Sequence, residues 1–298
     1  MLMLRQYLPL LRTGMEKTAV FWIRDGVLID RMPVNAVAFA VSSLTHSYAE
    51  ARSKTNLSDL INFAFAVSGI SCADKMEKFN RERFPLINDV AQASRYYNEL
   101  AGRAANHCRY FDGACDLLRE LKSHGRLNFI TSAVDQSVLD AWADSDQGRV
   151  VVPHIEEILA RRSSQFTKGR AHFAYVHERY GIEKIFYVAD AVSEIATGAE
   201  LSSEFNIVPV GFANLITPQK ISSACQLVMK EHDNLQQSAS DFPASALDLD
   251  QYALRLPGED ELVASLRDAK AKEIVTGSAG DIMANLAAYL ETALADLV

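Results

Sequence analysis

The chain has 298 residues, of which 49% are hydrophobic and 23% charged, and its formal charge at pH 7 is −8. This length allows one large domain or two modest ones, and 14 Gly with 8 Pro exclude a collagenous or wholly disordered chain. The acidic excess repels phosphate backbones and anionic lipid head groups, so neither nucleic acid nor a membrane is expected as a partner.

The apolar segments, the first 18 residues and the cysteines indicate where in the cell the protein is expected. No apolar run reaches the roughly 20 residues that a membrane span needs. Residues 1–18 are interpreted as a leader before the first strand, because Arg5 and Arg12 break its apolar stretches and no small-residue cleavage site follows. The four cysteines show neither Cys-x-x-Cys pairs nor metal-ligand spacing, which predicts a reduced, cytoplasmic protein.

The first predicted strand lies at 19–25 and ends in Asp25-Gly26. A short apolar run with this ending is typical of a buried parallel strand followed by a tight turn. From 33 to 108 the pattern predicts only helices, at 35–52, 58–67, 73–84 and 87–105. This stretch is therefore interpreted as an inserted helical cap, whose aromatic residues Phe63, Phe65, Tyr96 and Tyr97 are assigned to its core.

Strands and helices alternate after the cap. The predicted strands are 127–130, 150–152, 185–189 and 207–212, and the predicted helices are 113–123, 134–142, 170–180 and 194–201. This alternation predicts an α/β fold, a doubly wound parallel sheet covered on both faces by helices. Further helices are predicted at 219–231, 259–272 and 280–297.

The predicted organisation has four parts: a leader (1–18), an α/β core (19–32 and 109–215), an all-helical cap (33–108) and a helical C-terminal extension (216–298). Ligands of parallel sheets sit outside the carboxyl ends of the strands. Three predicted strands end in polar residues, namely Asp25, Thr131 with Ser132, and Asp190. These ends are the candidate functional site.

Five segments in a fixed order carry a resemblance to a known family. They are residues 22–30 (WIRDGVLID), 111–113 (FDG), 128–132 (NFITS), 168–169 (KG) and 186–194 (FYVADAVSE). Together they resemble the haloacid dehalogenase superfamily, in its phosphoglycolate-phosphatase and sugar-phosphatase-like branch with a helical cap. The resemblance covers about residues 20–213, and the C-terminal segment lies outside it.

The resemblance implies a phosphoryl-transfer site with assigned roles. In the family, an Asp-x-Asp-Gly motif supplies a nucleophile that also binds magnesium, and then a general acid/base. The second position corresponds here to Asp25. Thr131, Ser132 and Lys168 correspond to groups that hold phosphoryl oxygens, and Asp190 and Glu194 to further magnesium ligands. Such a site works by positioning and by neutralising charge on the transferred group.

The nucleophile position of this motif is occupied by Ile23. Isoleucine has no lone pair with which to attack phosphorus or bind a metal, so an aspartyl-phosphate cannot form there. Magnesium prefers an octahedral shell of oxygen ligands. The loss of one anionic ligand therefore predicts that Mg²⁺ binding is weak or absent.

Each site residue also has an ordinary structural interpretation. Asp25 could serve only as a turn residue, Thr131 and Ser132 as caps of the helix predicted from 134, Lys168 as a solvated lysine, and Asp190 as a helix cap. Strand alternation predicts that Arg24 points away from the side of Asp25, which makes Arg31 the expected anion contact.

Two functions follow from these interpretations. The first is a catalytically silent phosphatase homologue that binds a small phosphorylated metabolite or a protein partner. The alternative is a magnesium-dependent hydrolase of a small phosphate ester, in which Asp25 is the general base for direct attack by water. A homodimer is left open, and fold resemblance alone does not decide between these functions.

Overall fold

The computed structural model describes residues 17–235, 249–250, 253–278 and 280–295. Of the predicted leader, only Lys17 and Thr18 lie within the described residues. The strands are β1 (Thr18–Ile23), β2 (Leu127–Asp135), β3 (Glu157–Arg161), β4 (Lys184–Ala189), β5 (Ile207–Phe212) and β6 (Glu273–Val275).

The helices of the first half are α1 (Met32–Thr45), α2 (Ala49–Arg52), α3 (Leu57–Ala66), α4 (Cys72–Glu82), α5 (Val90–Ala105), α6 (Ala114–Ser123) and α7 (Gln136–Ala143). Those of the second half are α8 (Asp146–Val151), α9 (Arg170–Tyr180), α10 (Val192–Glu200), α11 (Ser202–Phe205), α12 (Pro218–Leu235), α13 (Glu259–Asp268) and α14 (Ile282–Ala295). A 3-10 turn covers Val152–His154. No helix among the described residues is long and apolar enough to cross a membrane.

All described strands pair in parallel, in the order β3-β2-β1-β4-β5-β6. β1 lies in the middle and is buried along its whole length, which explains why its sequence is a continuous apolar run. Helices cover the sheet, with α14 among them, and the predicted doubly wound α/β sheet with a helical cap is confirmed.

One predicted strand was wrong, and two strands were not predicted. The predicted strand at 150–152 is the end of α8 and the following 3-10 turn, because Ser145 caps α8 through the Gly148 amide and Val150 is exposed. The third strand is instead β3, an edge strand. It was not predicted because its buried centre is short and its ends are polar. The C-terminal segment also contains a strand, β6, in addition to the predicted helices.

The cap forms a second hydrophobic cluster, separate from that of the sheet. α1, α3, α4 and α5 build it, and α12 completes it with Ile221, Ala224 and Val228. α12 follows β5 directly, so the C-terminal segment contributes one helix to the cap before it returns to the sheet with α13 and β6. The four domain boundaries given above stay a prediction.

Candidate functional site

The register of the central strands brings the predicted site residues to one edge of the sheet. Ile23 at the end of β1 pairs with Thr131 of β2, and Trp22 pairs with Val188 of β4, so Asp190 follows beside them. A cavity of about 170 Å³ lies between this edge and the cap. All seven predicted site residues line it: Ile23, Asp25, Thr131, Ser132, Lys168, Asp190 and Glu194. Their chemical roles stay predictions.

The turn after β1 requires glycine. Gly26 has φ +98°, a left-handed conformation that favours glycine, and a Cβ atom there would lie 2.2 Å from Oδ2 of Asp190. This close approach sets the carboxylate of Asp190 directly against the backbone that carries Asp25. The Asp-Gly pair of the sequence is therefore a packing requirement as well as a turn signal.

Asp25 is held in a clamp of basic and polar side chains. Nε of Arg24 donates to Oδ1 of Asp25 at 2.7 Å, and Nη2 donates to Oδ2 at 3.1 Å. Nδ2 of Asn35 donates to Oδ2 at 3.1 Å, and Nε of Arg31 lies 3.8 Å from the same oxygen. Both carboxylate oxygens are thus occupied by partners within the protein.

The expected orientation of Arg24 was wrong. Beyond Ile23 the chain leaves the strand and enters a turn, so strand alternation no longer applies at Arg24. Its side chain is only 3% exposed, lines the cavity and stacks over Trp142 with 5.1 Å from Cζ to the ring centroid. Arg31 is directed to Asn35 and to the Ala101 carbonyl rather than to an open anion position.

The clamp controls the ionisation of Asp25. Burial alone would raise its pKa, but the charges of Arg24 and Arg31 and the hydrogen bonds from Arg24 and Asn35 outweigh that effect and hold the pKa well below the usual 3.8. Asp25 is therefore a carboxylate at neutral pH. A carboxylate with such a low pKa is a weak base, and at neutral pH it carries no proton to donate.

Thr131 is engaged with a histidine that the sequence analysis did not single out. Its Oγ1 lies 2.7 Å from Nδ1 of His172, which is fully buried in α9. Burial lowers the pKa of His172 to about 4, and the charges of Lys168 and Arg162 act in the same direction, against the Ala160 carbonyl. The imidazole is therefore neutral at pH 7.

The structure also tests the interpretation of Thr131 and Ser132 as caps of the helix predicted from 134. α7 begins at Gln136 rather than at 134, and its N-cap is Asp135, so neither Thr131 nor Ser132 caps that helix. Oγ of Ser132 accepts a 3.4 Å hydrogen bond from the Val134 amide and lines the cavity. β2 instead continues through both residues as far as Asp135.

Lys168 and Glu194 form a buried ion pair with each other, through Nζ and Oε1. Their side chains are 12% and 7% exposed, so Lys168 is not a solvated surface lysine. Next to this pair, burial and the charge of Glu194 raise the pKa of Asp190 far above its usual 3.8, against the effect of Lys168. The N-cap of α10 is Ala191, so Asp190 is not that helix's cap.

These residues do not fit a magnesium ion. Ile23 has no oxygen with which to bind a metal. The carboxylate of Asp25 accepts hydrogen bonds from Arg24 and Asn35, and Glu194 is bonded to Lys168. Glu194 keeps one buried oxygen, Oε2, without a partner, but a dication there would lie beside the ammonium of Lys168. The described residues contain no group of three or more His, Cys, Asp or Glu that suits a metal. Weak or absent magnesium binding stays a prediction.

The cap supplies the other wall of the cavity. Phe65 and Tyr97, which the sequence assigned to the cap core, line the cavity together with Lys75, Ser94 and Asn98. Burial lowers the pKa of Lys75, whereas Cys72, Glu194 and Asp190 act in the opposite direction. No motif marks these cap residues. The helical period of α4 and α5 places them on one side, but only the docking of the cap shows which side faces the sheet.

Comparison with known proteins places the fold. No protein-family model and no curated protein matches the chain. A predicted phosphatase from Clostridium acetobutylicum, 13% identical with a TM-score of 0.55, aligns over 94% of this chain and 100% of its own. A hydrolase from Pseudomonas syringae, 17% identical with a TM-score of 0.50, aligns over 70% and 90%, respectively. The chain therefore shares the fold of these two proteins, and this agrees with the capped α/β fold that the resemblance implies.

Proposed function

We propose that this protein is a catalytically silent phosphatase homologue that binds a small phosphorylated molecule in the cavity between cap and sheet. The observation that carries the proposal is Ile23, which lines the cavity at the end of the central strand, where the resemblance places the nucleophile. Its aliphatic side chain is 6% exposed and cannot form a bond to phosphorus.

The clamp on Asp25 supports silence independently of Ile23. Direct attack by water would need a base, and the pKa of Asp25 is held well below its usual range by Arg24 and Arg31. The same clamp removes the proton that a leaving group would need. The alternative function, a magnesium-dependent hydrolase with Asp25 as general base, therefore has little support from this geometry.

The electrostatic character of the cavity supports a small anion as ligand. The chain as a whole carries a charge of −8, yet four basic side chains line this one cavity: Arg24, Lys75, Arg161 and Lys168. They are matched by four acidic ones, Asp25, Asp135, Asp190 and Glu194. In a cavity whose basic groups balance its acidic ones, an anion meets less repulsion than the net charge of the whole chain would suggest. The cytoplasmic location and the oligomeric state stay predictions.

The test compares native protein with Asp25→Asn and Ile23→Asp on a panel of sugar phosphates with and without Mg²⁺. We expect all three to release phosphate at the rate of the buffer. Magnesium-dependent turnover by the native protein that Asp25→Asn abolishes would overturn the proposal in favour of the hydrolase. If only the Ile23→Asp variant turned over substrate, Ile23 would be the cause of the silence, and the bond from Arg24 to Asp25 would not prevent catalysis. Calorimetry with the same sugar phosphates measures binding directly.

A further inference from the structure

On the sheet side of the cavity, most of the hydrogen-bond donors have partners. Arg24 is bonded to Asp25, Lys168 to Glu194, and Thr131 to His172, whereas Nη1 of Arg24 is buried without a partner among the described residues. The resemblance places phosphoryl oxygens at Thr131 and Lys168. An anion bound there would have to compete with the buried carboxylate of Glu194 for Lys168. Since breaking a buried ion pair leaves an uncompensated charge, that competition is costly.

On the cap side, Asn35 donates to Asp25 and Ser71 to Asp74, but four other donors among the described residues are free. Lys75 of α4 and Ser94, Tyr97 and Asn98 of α5 line the cavity, and within the described part of the chain none of these four side chains has a hydrogen bond or ion pair. Lys75 is the sole basic residue lining the cavity, among those described, without a carboxylate bonded to it. Among the described residues of the sheet side, the Ser132 hydroxyl also lines the cavity without donating a hydrogen bond.

We propose that the cap, not the sheet, holds the anionic group of the ligand, with Lys75 as its counter-ion and Tyr97 and Asn98 as hydrogen-bond donors. The inference rests on the proposed function, since it specifies where the phosphoryl group of that ligand binds. It differs from the arrangement that the resemblance implies, in which Thr131 and Lys168 hold the phosphoryl oxygens.

The surroundings of Lys75 give this contact its strength. Lys75 lines a cavity whose apolar wall includes Phe65 and Ile70, where a charge-assisted hydrogen bond is less screened than in bulk water. The charges of Asp190 and Glu194 also act on Lys75, but neither carboxylate is bonded to it. A phosphate monoester fits the donor set, because its oxygens accept several hydrogen bonds at once. The remainder of the ligand then faces Ile23 and the ion pairs of the sheet.

The experiment measures binding of inorganic phosphate by calorimetry to the native protein and to matched variants. Lys75→Met removes the charge while keeping much of the side-chain length, and Lys75→Arg restores the charge. Lys78→Met is the control on the same helix, since Lys78 pairs with Glu82 away from the cavity. We expect Lys75→Met to weaken binding about tenfold or more, whereas Lys75→Arg and Lys78→Met stay within about threefold.

Lys168→Met decides between the two anion positions. We expect it to weaken phosphate binding less than Lys75→Met does, and an equal or larger loss would overturn the inference while leaving the proposed function intact. Failure of native protein to bind both phosphate and the sugar phosphates would overturn the proposed function and the inference with it. Reductively ¹³C-methylated protein gives an independent readout, because phosphate should shift the methyl signal that Lys75→Arg removes.

Discussion

Two pairs of charged side chains lie around this cavity: Arg24 with Asp25, and Lys168 with Glu194. Burying an isolated charge is far more costly than burying a pair, so each partner accounts for the presence of the other. Such pairs add little net stability, but removing one partner strands the other. Three of the residues to which the resemblance assigns a role, Asp25, Lys168 and Glu194, thus have their charges compensated within the protein.

His172 gives a prediction at the residue scale, because its imidazole is kept neutral by burial. Its pKa is about 4 in the folded protein and 6.5 in the unfolded chain, so between these values the unfolded chain binds more protons. The free energy of unfolding must then fall as the pH drops, by about 2 kcal/mol between pH 7 and pH 5 from this residue. His172→Phe removes that contribution and keeps a ring against Phe166.

The measurement is urea unfolding of both proteins from pH 5 to pH 7. We expect the stability of native protein to decline more steeply on acidification than that of His172→Phe, whatever the absolute stability of the variant. Parallel curves would mean that His172 is not a buried neutral base, and the assignment of the Thr131 hydrogen bond would need revision. The comparison of slopes removes contributions from the other ionisable groups that both proteins share.

At the scale of elements, the predictable parts are those with a long periodic pattern. α9 spans 170–180 as predicted, and α4, α5 and α6 begin and end within three residues of their predicted bounds. The failures are short or at an edge. β3 has only two buried residues, and β6 has three residues in all, so neither carries a period that a sequence can display.

The site shows the same division between local and tertiary information. Asp25, Thr131 and Asp190 could be predicted to meet, because parallel strands end at one edge of a sheet. The side chains that contact these residues and change their chemistry could not be predicted. Arg24 depends on how the chain leaves β1, and Lys75 depends on the docking of a separate helix. His172 lies on α9, shortly after the Lys168-Gly169 segment, but no motif includes it.

α12 provides the prediction for this scale. Its residue Ile221 is fully buried in the cap cluster, although the helix lies outside the predicted cap in the sequence. Ile221→Ala should lower the free energy of unfolding by about 2–5 kcal/mol, through lost burial and the cavity left behind. Gln226→Ala, on the exposed side of the same helix, is the control and should change stability by less than about 0.5 kcal/mol. Equal effects in thermal or urea unfolding would contradict the packing of α12 on the cap.

In the whole molecule, the cap is tied to the sheet by more than the two ends of its insertion. The chain passes from β5 into α12 on the cap, where Lys220 pairs with Asp30 at 2.7 Å. Later, Asn62 of α3 bonds the backbone of Ala253 and Arg255, shortly before the chain enters α13 on the sheet. Ser193 also donates to the Ser68 carbonyl of the cap. These ties favour a cap that keeps one position over the cavity.

The ties predict that cap and sheet unfold together. Both tryptophans, Trp22 and Trp142, pack in the sheet cluster, so their fluorescence reports on the sheet, whereas far-UV circular dichroism also reports on the cap helices. We expect the two urea transitions of native protein to coincide, since coincidence of probes is the mark of one cooperative unit. Ile221→Arg places a charge in the interface of α12 with the cap and should separate the transitions, with ellipticity lost first. Gln226→Arg, on the exposed face, should leave them coincident. Separate transitions in native protein would show that the cap is an independently folding unit and that the C-terminal segment does not hold it to the sheet.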